Sequence, residues 1–425
     1  MLTELILKNV GPAASMALKF GERINLLTGD NGAGKTFLLD IAWWALTGTW
    51  PAEVNANLSS GMMAKPCNED QASIYYKFII NKIINDNTSY FNRIEQKWDR
   101  GKPPLTKPGV SIYVQVDGSF SIFDPTRNSR FNLPPAYVFT QQEVWHGLED
   151  ASGRRLCNGL IADWANWQKE NGQAFRQLQA VLEALSPASD ERIAIGELTR
   201  IRLDDARDIP TLRMPYGQDV PVLHASSGLR RIIALAYLLI WAWQEHVLAC
   251  KLLGVPRVSD IVFLVDEIEC HLHPKWQRSI IRSLLNVTQR LGEMADSKVQ
   301  MILSTHSPLI LASLEPYFDP NRDKWFDIDL VREDPLPPRI EITEQPFTRR
   351  GDAANWLTSK AFDLQSALSL EAEEALAEAA KVLSDPTATA SSARNLEIKL
   401  REVLGDTDPF WVRWRFVMEK KGWNT

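Results

Sequence analysis

Apolar residues recur along the chain with two periods, one near two and one near 3.6, and the switches between them mark the elements. Residues 4–10 and 23–28 read as short strands on either side of a Gly11-Pro12 turn, and the second runs straight into a glycine-rich loop. Residues 37–46 form a strongly apolar helix closed by Gly48. After a loop-like stretch over 51–70, the runs 74–84, 90–98 and 110–116 are β-branched and aromatic, and Asp117-Gly118 signals a hairpin into 120–123. These runs predict an antiparallel sheet inserted between two parts of one core. Helical spacing returns over 155–185, interrupted at Asn171-Gly172, which predicts a lobe of two helices. A second strand–helix set follows: a turn at 226–228, a buried helix over 229–250, a strand over 261–265, a helix over 274–290 and a strand over 299–304. Strands alternating with helices on this scale imply a largely parallel α/β sheet.

The last hundred residues are less regular. Pro335-Leu336-Pro337-Pro338 predicts a loop, and 369–383 a helix with Glu371, Glu373 and Glu374 near its positive end. Residues 385–392 read as a linker before helices over 393–404 and 409–421, the latter with Asp408 as N-cap and Pro409 at its first position. The longest apolar run, 232–243, is short of the 18 or so residues that span a bilayer, and it reads as a buried helix. No internal repeat is found.

Composition narrows the class. A chain of 425 residues accommodates two to four domain-sized units. Hydrophobic residues at 45% and charged residues at 24% exclude a disordered, collagenous or membrane-integral chain. Lys+Arg 47 against Asp+Glu 53 gives a net charge of −6 with no basic block, so any contact with nucleic acid or anionic membrane must be a local patch. Cys67, Cys157, Cys250 and Cys270 form no C-x-x-C pair, which fits a reducing compartment and offers no zinc or disulfide framework. The start, Met1-Leu2-Thr3-Glu4-Leu5, has no secretory pattern, and a cytoplasmic protein is expected. Fifteen Trp residues, several in pairs such as Trp43-Trp44, read as large anchors of core and interface.

The chemistry is concentrated at two strand ends. Gly29-Asp30-Asn31-Gly32-Ala33-Gly34-Lys35-Thr36 matches G-x-x-x-x-G-K-[ST] between a predicted strand and a predicted helix. In such a loop the glycines let backbone N–H groups turn toward phosphates, Lys35 offers its ammonium to them, and Thr36 ligates Mg²⁺. The apolar run 261–265 ends in Asp266-Glu267, which places two carboxylates at the carboxyl end of a parallel strand, where such sheets bind ligands. Asp266 is expected to hold Mg²⁺ through its water shell, and Glu267 to act as general base on the attacking water.

With these residues the chain resembles the ABC-type ATPases, and more closely the bacterial AAA-like branch that includes the ATPase heads of SMC, RecF and OLD proteins. Ala225-Ser226-Ser227-Gly228-Leu229-Arg230-Arg231 looks like the ABC signature, with Ser227 in place of the first glycine of the common L-S-G-G form. The resemblance implies that residues 226–228 bind the γ-phosphate of ATP held by the other subunit; taken alone, Ser-Ser-Gly is a helix cap. His306, after strand 299–304, resembles the switch histidine that contacts the γ-phosphate and the attacking water. Gln141, in Tyr137-Val138-Phe139-Thr140-Gln141-Gln142-Glu143, resembles the Q-loop glutamine that touches Mg²⁺, with Gln142 as the alternative. Glu269-Cys270-His271-Leu272-His273-Pro274 is similar to the AAA-like branch at the D-loop, although two His with Glu and Cys also have the chemistry of a metal site.

The implied fold is an α/β P-loop NTPase head of ABC type with an inserted antiparallel β lobe, a short helical lobe and a C-terminal helical module. The expected division is an ATPase lobe over 1–140 with the β insertion at about 51–125, a helical lobe over 141–225, a second ATPase lobe over 226–315, and the module over 316–425. The resemblance implies ATP and Mg²⁺ as cofactors and a homodimer whose composite sites take Lys35, Gln141, Asp266, Glu267 and His306 from one chain and 226–228 from the other. About 85 residues between Gln141 and Ser226 leave no room for the long arms of SMC heads. Asp327-Ile328-Asp329 lies too near the start of the tail for the Toprim domain of OLD proteins, so no intrinsic nuclease is expected.

The tail from Asn355 to Phe362 and the acidic helix after it look similar to ATPase subunits of anti-phage defence operons, such as the Septu and retron-associated ATPases. This implies a sensor or regulator acting on a separately encoded effector from the same operon, with no membrane partner. Phe410, Trp411, Trp414, Val417 and Met418 form either a docking face for that effector or a helix folded back on its own domain. The alternative is a RecF-like DNA-repair ATPase, with Arg127, Arg130, Arg154, Arg155, Lys169, Arg349 and Arg350 as phosphate contacts on duplex DNA.

Overall fold

The computed structural model describes residues 1–80, 83–99, 109–130, 133–187, 191–258, 260–295 (291–295 by backbone alone), 298–332, 338–385 and 387–423. Contacts divide them into two compact units, Met1–Ala353 and Ala354–Thr425.

The first unit opens with a hairpin, β1 (Leu2–Val10) and β2 (Ala13–Lys19), joined at Gly11-Pro12. The turn therefore links β1 to a strand absent from the expected elements. The next strand, β3 (Ile24–Gly29), is buried along its whole length and leads into α1 (Lys35–Thr47), which ends on a left-handed Gly48. A single turn, α2 (Pro51–Val54), precedes β4 (Ser73–Ile80), β5 (Ile83–Asn92) and β6 (Lys97–Asp99). The run expected as one strand over 90–98 is thus the end of β5, a turn and β6. These strands form the inserted antiparallel sheet, in the order β2-β1-β4-β5-β6.

The following hairpin differs from expectation. Strands β7 (Val110–Val114) and β8 (Phe120–Phe123) belong to the central sheet, where β7 pairs in parallel with a strand 150 residues on. Both are buried on both faces, the mark of a central strand rather than of a half-solvated antiparallel insertion. One turn, α3 (Pro125–Asn128), and β9 (Tyr137–Phe139) close this part.

The helical lobe comprises α4 (Gln141–His146), a small hairpin of β10 (Leu148–Glu149) and β11 (Arg155–Cys157), α5 (Leu160–Glu170) and α6 (Gln173–Leu185). Asn171, left-handed, caps α5 where the break was expected. A three-stranded ribbon, β12 (Ala194–Ile195), β13 (Thr211–Arg213) and β14 (Asp219–Pro221), leads to α7 (Ser227–Leu253). By length and composition α7 alone among the described residues suffices to cross a membrane, yet it is mostly buried, packed against α3, α4, α5 and α6.

Then come β15 (Asp260–Val265), α8 (Pro274–Ala295), β16 (Lys298–Ser304), α9 (Pro308–Leu314), β17 (Lys324–Val331) and β18 (Arg339–Glu344). The central sheet has the order β18-β17-β3-β16-β15-β7-β8-β9, parallel from β17 to β7 and antiparallel at both edges. Strands β17 and β18 place residues 316–353 with the first unit, where a C-terminal module was expected from residue 316. The main core lies between the two sheets around α1. It joins Leu5, Ile74 and Phe78 of the antiparallel sheet to Leu27, Val262 and Ile302 of the central one. Trp43 faces Tyr113, and Trp44 meets Trp50, Tyr76 and Trp98, so this tryptophan pair is a core anchor.

The second unit holds most of α10 (Ala353–Leu357), then α11 (Leu370–Ser384), α12 (Ala390–Val403) and α13 (Phe410–Lys420). Its core is Ala372, Ala375 and Ala379 against Leu396, Leu400, Trp411, Trp414 and Met418. Helix α13 is therefore folded back on its own unit, and Trp411, Trp414 and Met418 present no docking face. Residues 390–392, expected as linker, form the first turn of α12 under a Thr389–Ser392 capping box. Residues 335–337 of the loop expected at 335–338 lie outside the described residues, as does Pro386.

Candidate functional site

Strands β3, β16 and β15 are neighbours and parallel, so the loops after their carboxyl ends meet at one edge of the sheet. The loop after β3 bends at Gly29, whose φ of +127° and whose approach to Ile328 O exclude a side chain: a Cβ there would stand 2.1 Å from that oxygen. Asp30, Asn31 and Gly32 are exposed, while Ala33 packs inward. Lys35 opens α1 with its Nζ drawn back over the loop, donating to Gly29 O at 2.7 Å and Asp30 O at 2.8 Å. Burial lowers the pKa of this ammonium, opposed by the nearby Asp266, Glu267 and Asp30 carboxylates.

Asp266, fully buried, has both carboxylate oxygens engaged. Thr36 Oγ1 donates to Oδ2 at 2.7 Å, and Ser304 Oγ donates to Oδ1 at 2.6 Å. The Ser304 hydroxyl also accepts from Glu267 N at 2.7 Å, tying β16 to the turn after β15. Glu267 itself has a left-handed φ of 44°, a conformation that costs a non-glycine residue on the order of 1–3 kcal/mol and that its surroundings must hold.

His306 reaches the same edge through Glu269. The Glu269 carboxylate accepts from Thr305 Oγ1 at 2.7 Å and from the His306 amide at 2.5 Å, so it pins the loop after β16. Burial raises the Glu269 pKa against those hydrogen bonds. Burial, then the Lys35 charge, lowers that of His306, so its imidazole is neutral at neutral pH. Lys35, Thr36, Asp266, Glu267 and His306 are thus within electrostatic reach of one another in a single chain.

Gln141 and residues 226–228 stand on other elements, at the N-termini of α4 and α7. Gln141 opens α4 behind a Thr140–Glu143 capping box and lies against Gly118. There it lines an open pocket together with Trp145, Ser227 and Arg230, a lining that Gln142 does not share. Ser226 is the N-cap of α7, its Oγ accepting from Leu229 N; Ser226 and Ser227 are exposed, and Gly228 is buried.

The Thr36 hydroxyl and Asp266 carboxylate, one hydrogen bond apart, are hard oxygen donors of the kind that hold Mg²⁺ together with phosphate oxygens and water. Among the described residues no cluster of three or more His, Cys, Asp or Glu is placed to hold a metal unaided. After Glu267, Glu269 turns to Thr305 and His306, the Cys270 thiol faces Val116 O, and His271 and His273 are exposed. Asp327 lies buried in β17, accepting from Thr28 Oγ1 at 2.6 Å behind the phosphate loop. Of the cations considered for DNA, Arg127, Arg154, Arg155 and Lys169 are paired with Glu245, Asp150, Glu149 and Asp208, and Arg127 also stacks on Tyr137. Ser304, Glu269 and Arg231 shape the site without having been expected to. Glu269 belongs to the Glu269–Pro274 motif, but nothing in the sequence says which backbone its carboxylate holds.

Two AAA-domain family models match the chain, one over residues 4–212 and the other over residues 126–312; the description of the second also names the AbiEii toxin and a type IV TA system. "Septu protein PtuA" from Bacillus thuringiensis is 23% identical over 331 residues, 72% of this chain and 72% of its own length. The chain is similar to ABC-like AAA ATPases of bacterial defence systems. "Retron Vc95 probable ATPase" from Vibrio cholerae is 24% identical over 181 residues, which are 41% of this chain. The chain spans only 32% of that retron protein's length. Among solved structures, the "SMC head domain from Thermotoga maritima" aligns over 81% of this chain and 99% of its own, at 13% identity and a TM-score of 0.39.

Proposed function

We propose that the protein is a cytoplasmic ATPase that dimerises around ATP and Mg²⁺ and regulates a separately encoded effector, a nuclease or other toxin. The observation that carries the ATPase reading is the Thr36–Asp266 contact beside the buried Lys35, with Glu267 and His306 at the same strand ends. In this reading the loop 29–36 binds the triphosphate, Lys35 neutralises its terminal phosphates, and Thr36, Asp266 and Gln141 would hold Mg²⁺. When bound, the ion offsets charge on the phosphate oxygens. Glu267 takes the proton of the attacking water and His306 orients that water against the γ-phosphate. Exposed on the first turn of α7, Ser226 and Ser227 with the Gly228 backbone are set to meet the triphosphate of a second copy, as a helix N-terminus favours anions. The similarity to Septu and retron proteins supports the regulatory role.

Size by light scattering with ATP and Mg²⁺, recorded with phosphate release, tests this. Wild type is expected to turn over, and Glu267→Gln to lose on the order of 10²–10⁴-fold in rate while remaining a trapped dimer. Lys35→Ala is expected to stay monomeric with no turnover. A wild type whose size and phosphate release ignore ATP sinks the reading.

A further inference from the structure

Arg231, in the second turn of α7, points its guanidinium at the backbone of the acidic strand end rather than at solvent. Nη1 donates to Val116 O at 3.2 Å, and Nη2 donates to Asp266 O at 2.8 Å and to Glu267 O at 3.3 Å. A planar fork places fixed donors on separate nitrogens and so reaches carbonyls beyond the ends of two strands, whereas a lysine ammonium offers its three donors from a single point. One of the gripped peptides belongs to Glu267, whose backbone is left-handed, and the turn contains a second such residue, His271 with φ 62°. A second contact joins the same elements: Gly228 packs so closely on the turn that a Cβ would stand 2.4 Å from His271 O. Burial lowers the pKa of Arg231, opposed by the neighbouring Cys270, Asp266, Glu267 and Glu269.

We propose that Arg231 is a positioning residue that holds the Asp266–Glu267 backbone and makes the 226–228 end of α7 and the Glu267 carboxylate move as one body. The proposal rests on the ATPase reading above and names the residue that sets its general base.

The test compares full-length wild type, Arg231→Lys and Arg231→Ala, with Lys35→Ala alongside. Backbone hydrogen exchange over residues 266–272 is expected to accelerate about tenfold in both Arg231 variants. ATP affinity should stay within about threefold of wild type while kcat at saturating ATP falls about 10²-fold, the cost of a catalytic group misplaced by an ångström. Arg231→Lys should lie between Arg231→Ala and wild type, and it decides alone if Arg231→Ala does not fold. Unchanged exchange over 266–272 in a folded variant overturns the proposal, as does a parallel loss of kcat, ATP affinity and Tm, the mark of a merely structural residue. If wild type, like Lys35→Ala, neither binds ATP nor releases phosphate, the ATPase reading fails, and exchange still judges the grip of Arg231.

Discussion

Asp40 carries a carboxyl group into the core on the second turn of α1, where it accepts from Tyr113 Oη at 3.0 Å. Burial, reinforced by the charge of Asp266, pushes its pKa up to about 7, against the hydrogen bond from Tyr113. Because the folded chain keeps this proton where the unfolded chain has lost it, stability falls as pH rises from about 4 to 7, by up to about 1.4 kcal/mol per pH unit, and then levels. Asp40→Asn keeps an acceptor for Tyr113 and has no proton to lose. It is expected to remove that part of the slope and to raise Tm over wild type at pH 8, with little difference at pH 4. Parallel pH profiles of thermal unfolding decide, and a variant less stable than wild type at pH 8 contradicts the account. At this scale the sequence was legible where chemistry dictates spacing: eight consecutive residues of the phosphate loop and an acidic pair after an apolar strand leave few alternatives. Ser304, Glu269 and Arg231 were not legible, because a polar residue near a strand end is ordinary and only the fold shows which backbone it grips.

Among the elements, α7 links the sheet to the helical lobe, and one buried hydroxyl on α7 takes part in that link. Tyr237 Oη donates to Asp163 Oδ2 on α5 at 2.8 Å and lies 3.1 Å from the Cys157 thiol on β11. Burial raises the pKa of Asp163, while Asn158 and Tyr237 donate to its carboxylate. Tyr237→Phe leaves one oxygen of that buried carboxylate short of a donor, and a loss of about 1–3 kcal/mol in urea unfolding is expected with the ATP site intact. A neutral result would mean that the lobe is held by packing alone. The helices themselves were readable, since α1, α5 and α7 end on Gly48, Asn171 and Gly254, and α6 shows its apolar face at helical spacing. Strand partners were less so. The Ala-Ala-Ser-Met-Ala of β2 alternates too weakly to stand out. The pairing of β7 with β15 and of β17 with β3 joins residues 150 to 300 positions apart, which no local pattern encodes.

For the whole molecule the consequential boundary is the one between Ala353 and Ala354. Strands β17 and β18 complete the central sheet, and Trp325 on β17 donates from Nε1 to Thr28 Oγ1 at 2.7 Å, so a cut at residue 315 would strip a neighbour from β3 and the phosphate loop. Within the second unit, a cut after residue 390 would leave α11 with its alanine face uncovered, because Leu396, Leu400, Trp411 and Trp414 supply the other side of that core. Either truncation would report on misfolding rather than on function. Removal of 354–425 as a whole is expected to leave ATP affinity within about threefold of the full chain, since every residue assigned to the nucleotide lies in the first unit. If the second unit carries the effector, that truncation abolishes co-purification with it. Val412 and Phe416, exposed on α13 while Trp411 and Trp414 point inward, are then the side chains to change next. Retained association would place the effector on the first unit and leave the three-helix core with another role.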